Sequence, residues 1–386
     1  MARILAIAHS YYMLLTVMQL RETVYKRDHM DLILTDVSQN AEGVFAALKK
    51  EKFFDTCYYL RRNRICADKK SIPVKLLRLL SSIVAPGRTV KKAQLGMKSF
   101  HYDIVLCYVA DRYEEQSIFR MVRRANPRAK CQLYEEGYSS YFSIHGYFDT
   151  QSAFSTMKLL PRIMRCLGLK NRLISQNIDK VWYYRPALLQ FDATGLNVES
   201  IPRFCTGNEE FVRHVNRVFG YDPSQREFDA DYIYLEDCAY ADGYPTDDFE
   251  LIRFINDRID QSDTFMVKMH PRSATDRFSE AGIRTNHTSI PLELIFLNGK
   301  NQGITFITIS SGAPLTGLIC FNSDNRVIML YKCSKYSMKV TADARFNAYV
   351  ESVRKIAGEK SLFIPETTEE LDATIRSLGA ERVRQA

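Results

Sequence analysis

Short apolar runs, each followed by a longer stretch with helical spacing, recur along most of the chain. Arg3-Ile4-Leu5-Ala6-Ile7-Ala8, Ile104-Val105-Leu106-Cys107 and Thr305-Phe306-Ile307-Thr308 are representative. Runs this short that do not alternate with polar residues fit strands buried on both faces. Such strands need crossover helices packed above and below a parallel sheet. The pattern predicts strands near 3–8, 31–35, 54–60, 103–109, 130–134 and 180–184, with helices near 11–27, 41–51 and 114–125. It then repeats, with strands near 231–235, 264–268, 304–309, 326–331 and 361–364 and helices near 246–260, 290–298, 313–320, 343–357 and 367–378. At roughly 100–200 residues per domain, 386 residues make two such units. We expect an α/β architecture of two Rossmann-like domains over 1–185 and 229–386, facing a central cleft. Residues 186–228, polar and interrupted by Pro186, Pro202 and Pro223, are expected to link them.

Several function classes drop out at once. No stretch approaches the roughly 18 uninterrupted apolar residues of a membrane span, so the chain is expected to be soluble or peripheral. The opening apolar run is only five residues long, which fits a first buried strand better than a secretion signal. Nine cysteines form no CxxC pair and several lie within apolar runs, the pattern of buried thiols in a cytoplasmic protein. Neither GxGxxG nor a P-loop is present, which disfavours dinucleotide oxidoreductases and P-loop kinases. Asp229-Ala230-Asp231 has the spacing of a metal-binding acidic pair, but it precedes its strand and lies away from the expected ligand edge. Seven scattered histidines show no zinc spacing.

The net charge of +8 is unevenly distributed. Residues 61–98 carry eleven Lys and Arg against Asp68 alone, and residues 151–178 carry five with no acid. Both segments mix this charge with Leu, Ile and Met, as a helix does when it lies peripherally on an anionic membrane. An anionic glycan acceptor fits as well, and so does a solvated helix face with its apolar side in the core. No nucleic-acid-binding module accompanies the charge, so nucleic acid is not expected as a partner.

Three segments place reactive groups just after a predicted strand, where open α/β sheets bind ligands. The first is Leu133-Tyr134-Glu135-Glu136-Gly137. Adjacent carboxylates at a strand end cannot face the same way, so one can serve as a base while the other orients it, and Gly137 frees the turn. Two solvated loop acids have the same pattern. The second is Lys268-Met269-His270-Pro271-Arg272. Pro271 stops strand pairing, and an imidazole between two cations suits donation to a leaving phosphate. The third is Ser310-Ser311-Gly312-Ala313-Pro314, two hydroxyls opening a helix whose N–H groups attract anions, although a simple N-cap reads the same way. Between the second and third, Glu293 starts a helix, where it can accept hydrogen bonds from a ribose diol or complement the helix dipole.

In this order the segments resemble bacterial lipooligosaccharide sialyltransferases and capsular polysialyltransferases, which share an acidic D/E-D/E-G motif, an HP motif and a paired Ser/Thr motif. Here these are Glu135-Glu136-Gly137, His270-Pro271 and Ser310-Ser311, with Glu293 lying 23 residues and Ser310 40 residues after His270. The match spans roughly 130–320. Before it, Ala8-His9-Ser10-Tyr11-Tyr12 has only the style of the family's first strand-to-helix turn. The resemblance implies the GT-B fold, CMP-sialic acid as donor substrate, no cofactor and no metal. It implies that Glu136 is the base, that His270 assists departure of CMP, and that Ser310 and Ser311 hold the phosphate beside Gly312. It further implies that Lys268, Pro271, Arg272 and Glu293 line the donor, and that Glu135, Gly137, His9 and Ser10 position groups on the acceptor side. Another CMP-activated keto-sugar or a UDP-sugar, handled by a transferase or epimerase, and a non-catalytic glycan-binding scaffold stay open as alternatives. The acceptor, the linkage and the oligomeric state have no signature in the sequence.

Overall fold

The computed structural model describes residues 1–62, 80–109, 113–144, 173–225, 228–321, 323 and 325–385. The chain divides into two compact units, Met1–Gly220 and Tyr221–Ala386.

The described residues of the first unit form a seven-stranded parallel sheet. Its strands are β1 (Arg3–Ala8), β2 (His29–Thr35), β3 (Cys57–Leu60), β4 (Ile104–Cys107), β5 (Lys130–Tyr134), β6 (Ile178–Tyr183) and β7 (Val198–Ser200). They lie in the order β3-β2-β1-β4-β5-β6-β7. The order reverses between β1 and β4, and at such a reversal the carboxyl ends of neighbouring strands open a crevice. Ile4 to Ala8 are wholly buried, as a central strand covered on both faces requires. Helix α1 (Tyr11–Glu22) starts from the same end, its N-cap Ser10 accepting from Met13 N–H at 3.2 Å. It is shorter than the span 11–27 expected from the sequence: beyond Thr23 the i→i−4 ladder gives way to Tyr25 N–H on the Leu20 carbonyl and a turn closed by Asp28 N–H on the Tyr25 carbonyl. Helices α2 (Ala41–Glu51), α3 (Pro86–Lys92) and α4 (Tyr113–Ala125) follow.

The interdomain assignment of 186–228 needs correction. Residues 186–220 belong to the first unit: β7 extends its sheet, and α5 (Glu209–Phe219) packs against α2. Asn208 caps α5 by accepting from Phe211 N–H at 3.1 Å, and Gly220 closes it in the left-handed region at φ +63°. Phe211, Val215 and Val218 form its buried stripe, each worth roughly 1.5–3 kcal/mol of burial.

The second unit has six described parallel strands: β8 (Tyr232–Leu235), β9 (Phe265–Lys268), β10 (Thr285–Asn286), β11 (Thr305–Thr308), β12 (Arg326–Met329) and β13 (Leu362–Phe363). Their order is β10-β9-β8-β11-β12-β13, reversing between β8 and β11. Its helices are α6 (Asp248–Asn256), α7 (Arg277–Glu280), α8 (Glu293–Leu297), α9 (Ala313–Thr316), α10 (Ala344–Ala357) and α11 (Thr368–Gln385). Helix α9 continues as a π-helical turn over Gly317–Phe321. A Cβ on Gly317 would lie 2.5 Å from Asn325 Oδ1 and 2.7 Å from Phe296 Cε1, so only glycine allows that approach.

No described helix is long and apolar enough to cross a membrane. The basic segment 151–178 falls largely outside the described residues, which omit 63–79 and 145–172, whereas 61–62 and 80–98 of the other are described. Asp231, from the acidic pair set aside above, sits at the start of β8. Its carboxylate accepts from Thr264 N–H at 2.8 Å and pairs with Arg382 at 2.5 Å.

Candidate functional site

In the first unit, the carboxyl ends of β1 and β5 carry the residues singled out on the acceptor side. Glu135 is 2% exposed. Its Oε1 accepts from the Tyr12 hydroxyl at 2.6 Å, and its Oε2 accepts from Tyr184 N–H at 2.8 Å and from the Tyr141 hydroxyl. Burial pushes its pKa up to about 7 although these three donors pull it down. Glu136 is only half-buried, and its Oε1 accepts from the Ser139 hydroxyl at 2.7 Å. The strand thus sends one carboxyl into the core as a structural anchor and leaves its neighbour nearer the surface. Gly137 takes φ +122°, which lets the chain turn into the single turn of 3-10 helix at Tyr138–Tyr141.

His9, at the end of β1, is 5% exposed and fully engaged. Nε2 pairs with Glu115 Oε1 at 2.7 Å, Nδ1 lies 3.1 Å from Thr35 Oγ1, and the ring meets Tyr108 edge-on. His9, Glu114 and Glu115 are the described His, Cys, Asp or Glu residues whose ligand atoms cluster, within 4.8 Å of one another. Arg62 pairs with Glu114 at 2.6 Å. His9 is thus tied to Thr35 and Glu115, and Ser10 to Met13.

In the second unit, His270 follows β9 and Ser310 and Ser311 follow β11, on either side of β8. Arg272 N–H donates to His270 Nδ1 at 3.2 Å. With Nδ1 accepting, the neutral ring carries its hydrogen on Nε2; the tautomer is assigned from that bond. Burial, then the charges of Arg272 and Lys268, hold the His270 pKa down to about 4. His270 is thus a neutral Nε2–H donor rather than an imidazolium. Lys268 Nζ donates to the Thr288 carbonyl at 3.3 Å, and Arg272 pairs with Asp242 at 2.8 Å. Pro271 stands exposed at the turn. Glu293, in the first turn of α8, is 7% exposed, and burial pushes its pKa up to about 7 against the opposing pull of Lys268.

The two serines separate. Ser310 N–H and its hydroxyl both point to Asp237 Oδ2, at 2.8 and 3.1 Å, so its donors are committed inside the protein. Ser311 Oγ accepts from Ala313 N–H at 3.3 Å, and Gly312 is the N-cap residue of α9. Ser310 is thus bonded to Asp237, while Ser311 lies at the start of α9. Asp237 and its neighbour Glu236 escaped the sequence reading. Glu236, 4% exposed, accepts on Oε2 from His270 N–H at 2.8 Å and from the Ser273 hydroxyl at 2.6 Å. A visible signal existed: Leu235-Glu236-Asp237 ends an apolar strand as Tyr134-Glu135-Glu136 does.

The whole chain matches solved structures of the same two-sheet plan. An α/β-galactoside α-2,3-sialyltransferase from the luminous marine bacterium Photobacterium phosphoreum superposes with a TM-score of 0.53 at 10% identity, covering 94% of this chain and 98% of that one. The calicheamicin glycosyltransferase CalG4 does so at 0.51 and 12% identity, covering 100% and 92%. The fold is GT-B. A UDP-GlcNAc 2-epimerase from Methanocaldococcus jannaschii shares this GT-B plan at 0.50 and 11% identity, covering 98% of this chain and 100% of that one. No protein-family model and no curated sequence matches the chain.

Three acids, Glu135, Asp237 and Glu293, have pKa values of about 7, above their ordinary values of 4.5, 3.8 and 4.5. The stability each contributes is fully present below its unfolded value and is lost as pH rises through about 7. His270, depressed from 6.5 to about 4, acts oppositely: its contribution is lost as pH falls through about 4. Between about pH 5 and 7 the acids outnumber the histidine, so resistance to urea is expected to fall as pH rises. Glu135→Gln should flatten part of that slope, because a Gln oxygen can still accept on the Oε2 side while the Tyr12 hydroxyl turns to accept from the amide. Urea midpoints at pH 5.5 and 7.5 check this; an unchanged slope in the variant would show that Glu135 does not set it.

Proposed function

We propose that the chain is an inverting, metal-independent glycosyltransferase that moves sialic acid from CMP-sialic acid to a hydroxyl of a surface glycan. The observation that carries this reading is His270 held as a neutral Nε2–H donor between Lys268 and Arg272. The Ser311 hydroxyl follows β11 at the same sheet edge, on the other side of β8, and these donors and cations are of the kind that suits a phosphoryl group. The motif order adds the acidic base segment and the CMP-linked ketose.

In this mechanism Glu136 takes the proton of the acceptor hydroxyl as its oxygen bonds to the anomeric carbon. The bond from that carbon to the phosphate oxygen breaks, and CMP leaves with the electron pair. His270 donates a hydrogen bond from Nε2 to the departing phosphate, Ser311 donates a second, and Lys268 and Arg272 supply positive charge. A phosphate leaving group needs little protonation, so a neutral imidazole donor suffices. Glu293 receives the ribose diol. Deprotonation and attack on one face, with departure from the other, invert the anomeric centre.

A second reading, a UDP-sugar transferase or epimerase, draws on the presence of a UDP-GlcNAc 2-epimerase among proteins of the same fold. Calorimetry with free nucleotides separates the two. CMP is expected to bind more tightly than UMP or UDP. Ser311→Ala should weaken CMP by about 1.5–3 kcal/mol, the usual worth of a hydrogen bond to a charged group. Preference for UDP would favour the second reading, and unchanged CMP affinity in Ser311→Ala would remove the phosphate role of that serine.

A further inference from the structure

We infer that the acidic pair Glu236-Asp237, at the end of β8, is a positioning device that holds the histidine turn and the serine turn in their working geometry. The inference rests on the donor-side reading given above. Strand β8 lies between β9 and β11, so its carboxyl end is the one place adjacent to both loops. Its two consecutive acids divide the work. Glu236 turns to the β9 side and gathers His270 N–H and the Ser273 hydroxyl onto a single oxygen. Asp237 turns to the β11 side and gathers both donors of Ser310, also onto a single oxygen.

Glu236 has a competing explanation, neutralisation of Arg277, and the distances decide against it. Arg277 Nη2 lies 2.5 Å from Asp248 Oδ2 but 3.4 Å from Glu236 Oε1. Its charge is met first by Asp248, and its guanidinium also stacks over Tyr240 at 3.9 Å. The short bonds of Glu236 instead close the turn that Ser273 N–H to the His270 carbonyl, at 2.9 Å, already begins. That turn sets the Arg272 N–H against His270 Nδ1 and so selects the Nε2–H tautomer. On the other loop, spending both Ser310 donors on Asp237 fixes the backbone that presents Ser311.

At each position the two donors of the turn share one oxygen, Oε2 of Glu236 and Oδ2 of Asp237, so an acceptor oxygen at that place is what the turn requires. Amide replacements keep an acceptor oxygen and alanine replacements do not, which gives the test its contrast. The full chain, labelled with 15N-histidine and free of ligand, reports the His270 tautomer through its ring nitrogen shifts, assigned by the signal missing in His270→Ala. Glu236→Ala is expected to mix the two tautomers and to lower kcat for CMP release by about tenfold or more, with a smaller change in KM. Glu236→Gln should restore both. Asp237→Ala should weaken CMP binding about tenfold, and Asp237→Asn should stay within about threefold of the parent. Asp248→Ala breaks the other carboxylate on Arg277, so it should lower the unfolding temperature yet leave the tautomer intact. Should Glu236→Ala fail to fold, Ser273→Ala removes one of the two bonds to Glu236 without opening the core and should still loosen the tautomer preference.

A pure Nε2–H tautomer in Glu236→Ala or Ser273→Ala overturns the inference, and so does equal mixing in Asp248→Ala. The tautomer is read without nucleotide, so it decides the positioning role even if the donor is not a CMP-sugar. Conversely, unchanged tautomers alongside normal CMP turnover would remove the positioning role and leave the proposed reaction standing.

Discussion

Glu136→Gln is expected to lose transfer to the acceptor by about 10²–10⁴-fold while CMP affinity stays within about twofold of the parent. The separation follows from where the two carboxyls sit. Glu136 is half-buried at the end of β5, bonded to Ser139, and its proposed work is on the acceptor hydroxyl, not on the nucleotide. An amide of the same shape keeps the bond to Ser139 but cannot take a proton. Glu135→Gln is the paired control. Its carboxyl is committed to Tyr12, Tyr141 and Tyr184, so the variant should be altered in stability and retain most of its transfer. Steady-state transfer assays beside calorimetry check both. A dead Glu135→Gln with an active Glu136→Gln would move the base by one residue, and normal turnover in both would place the base elsewhere.

His270→Ala should lower transfer by about 10²–10³-fold, the scale seen when a single donor to a developing anion is removed. The loss should extend to slow hydrolysis of the donor by water, because departure of the nucleotide is common to both reactions. His270→Gln discriminates the chemical role. The ring is neutral with its hydrogen on Nε2, so an amide N–H can replace it in part and should recover roughly tenfold or more over Ala. A proton carrier could not be replaced that way, and a Gln variant as inactive as Ala would identify His270 as an acid. The pKa of about 4 adds a second signature: activity should show no limb attributable to His270 near pH 6.5.

The strands were the most legible part of the chain because burial on both faces leaves uninterrupted apolar runs. Both parallel sheets follow from runs such as Ile4 to Ala8 and Phe306 to Ile307. What failed was the region 186–228, where scattered prolines suggested a linker. The caps of α5 were present all along, Asn208 before it and Gly220 after it, with Phe211, Val215 and Val218 at helical spacing. Its many charged residues hid a helix that is half solvent-facing. Val198–Ser200 was missed because a three-residue edge strand has too few apolar positions to show a period.

The site was legible as segments and not as bonds. Strand-end motifs mark where reactive groups collect, since the carboxyl edge of a parallel sheet is fixed by topology. Which donor meets which acceptor depends on partners far away in sequence. Tyr12 reaches Glu135 across 123 positions, His9 reaches Glu115 across 106, and Ser310 reaches Asp237 across 73. No local pattern encodes those pairings, which is why the bonds from Ser310 to Asp237 are not visible in the sequence.

The central claim is that a CMP-activated sugar is the donor, and nucleotide release measures it most directly. Purified protein is incubated with CMP-sialic acid, UDP-GlcNAc and UDP-Gal in turn, with and without a panel of glycan acceptors and with and without EDTA. The account predicts release of CMP, accelerated by acceptor, undiminished by EDTA and lost in Glu136→Gln. Release of UDP with CMP-sialic acid left intact would contradict it.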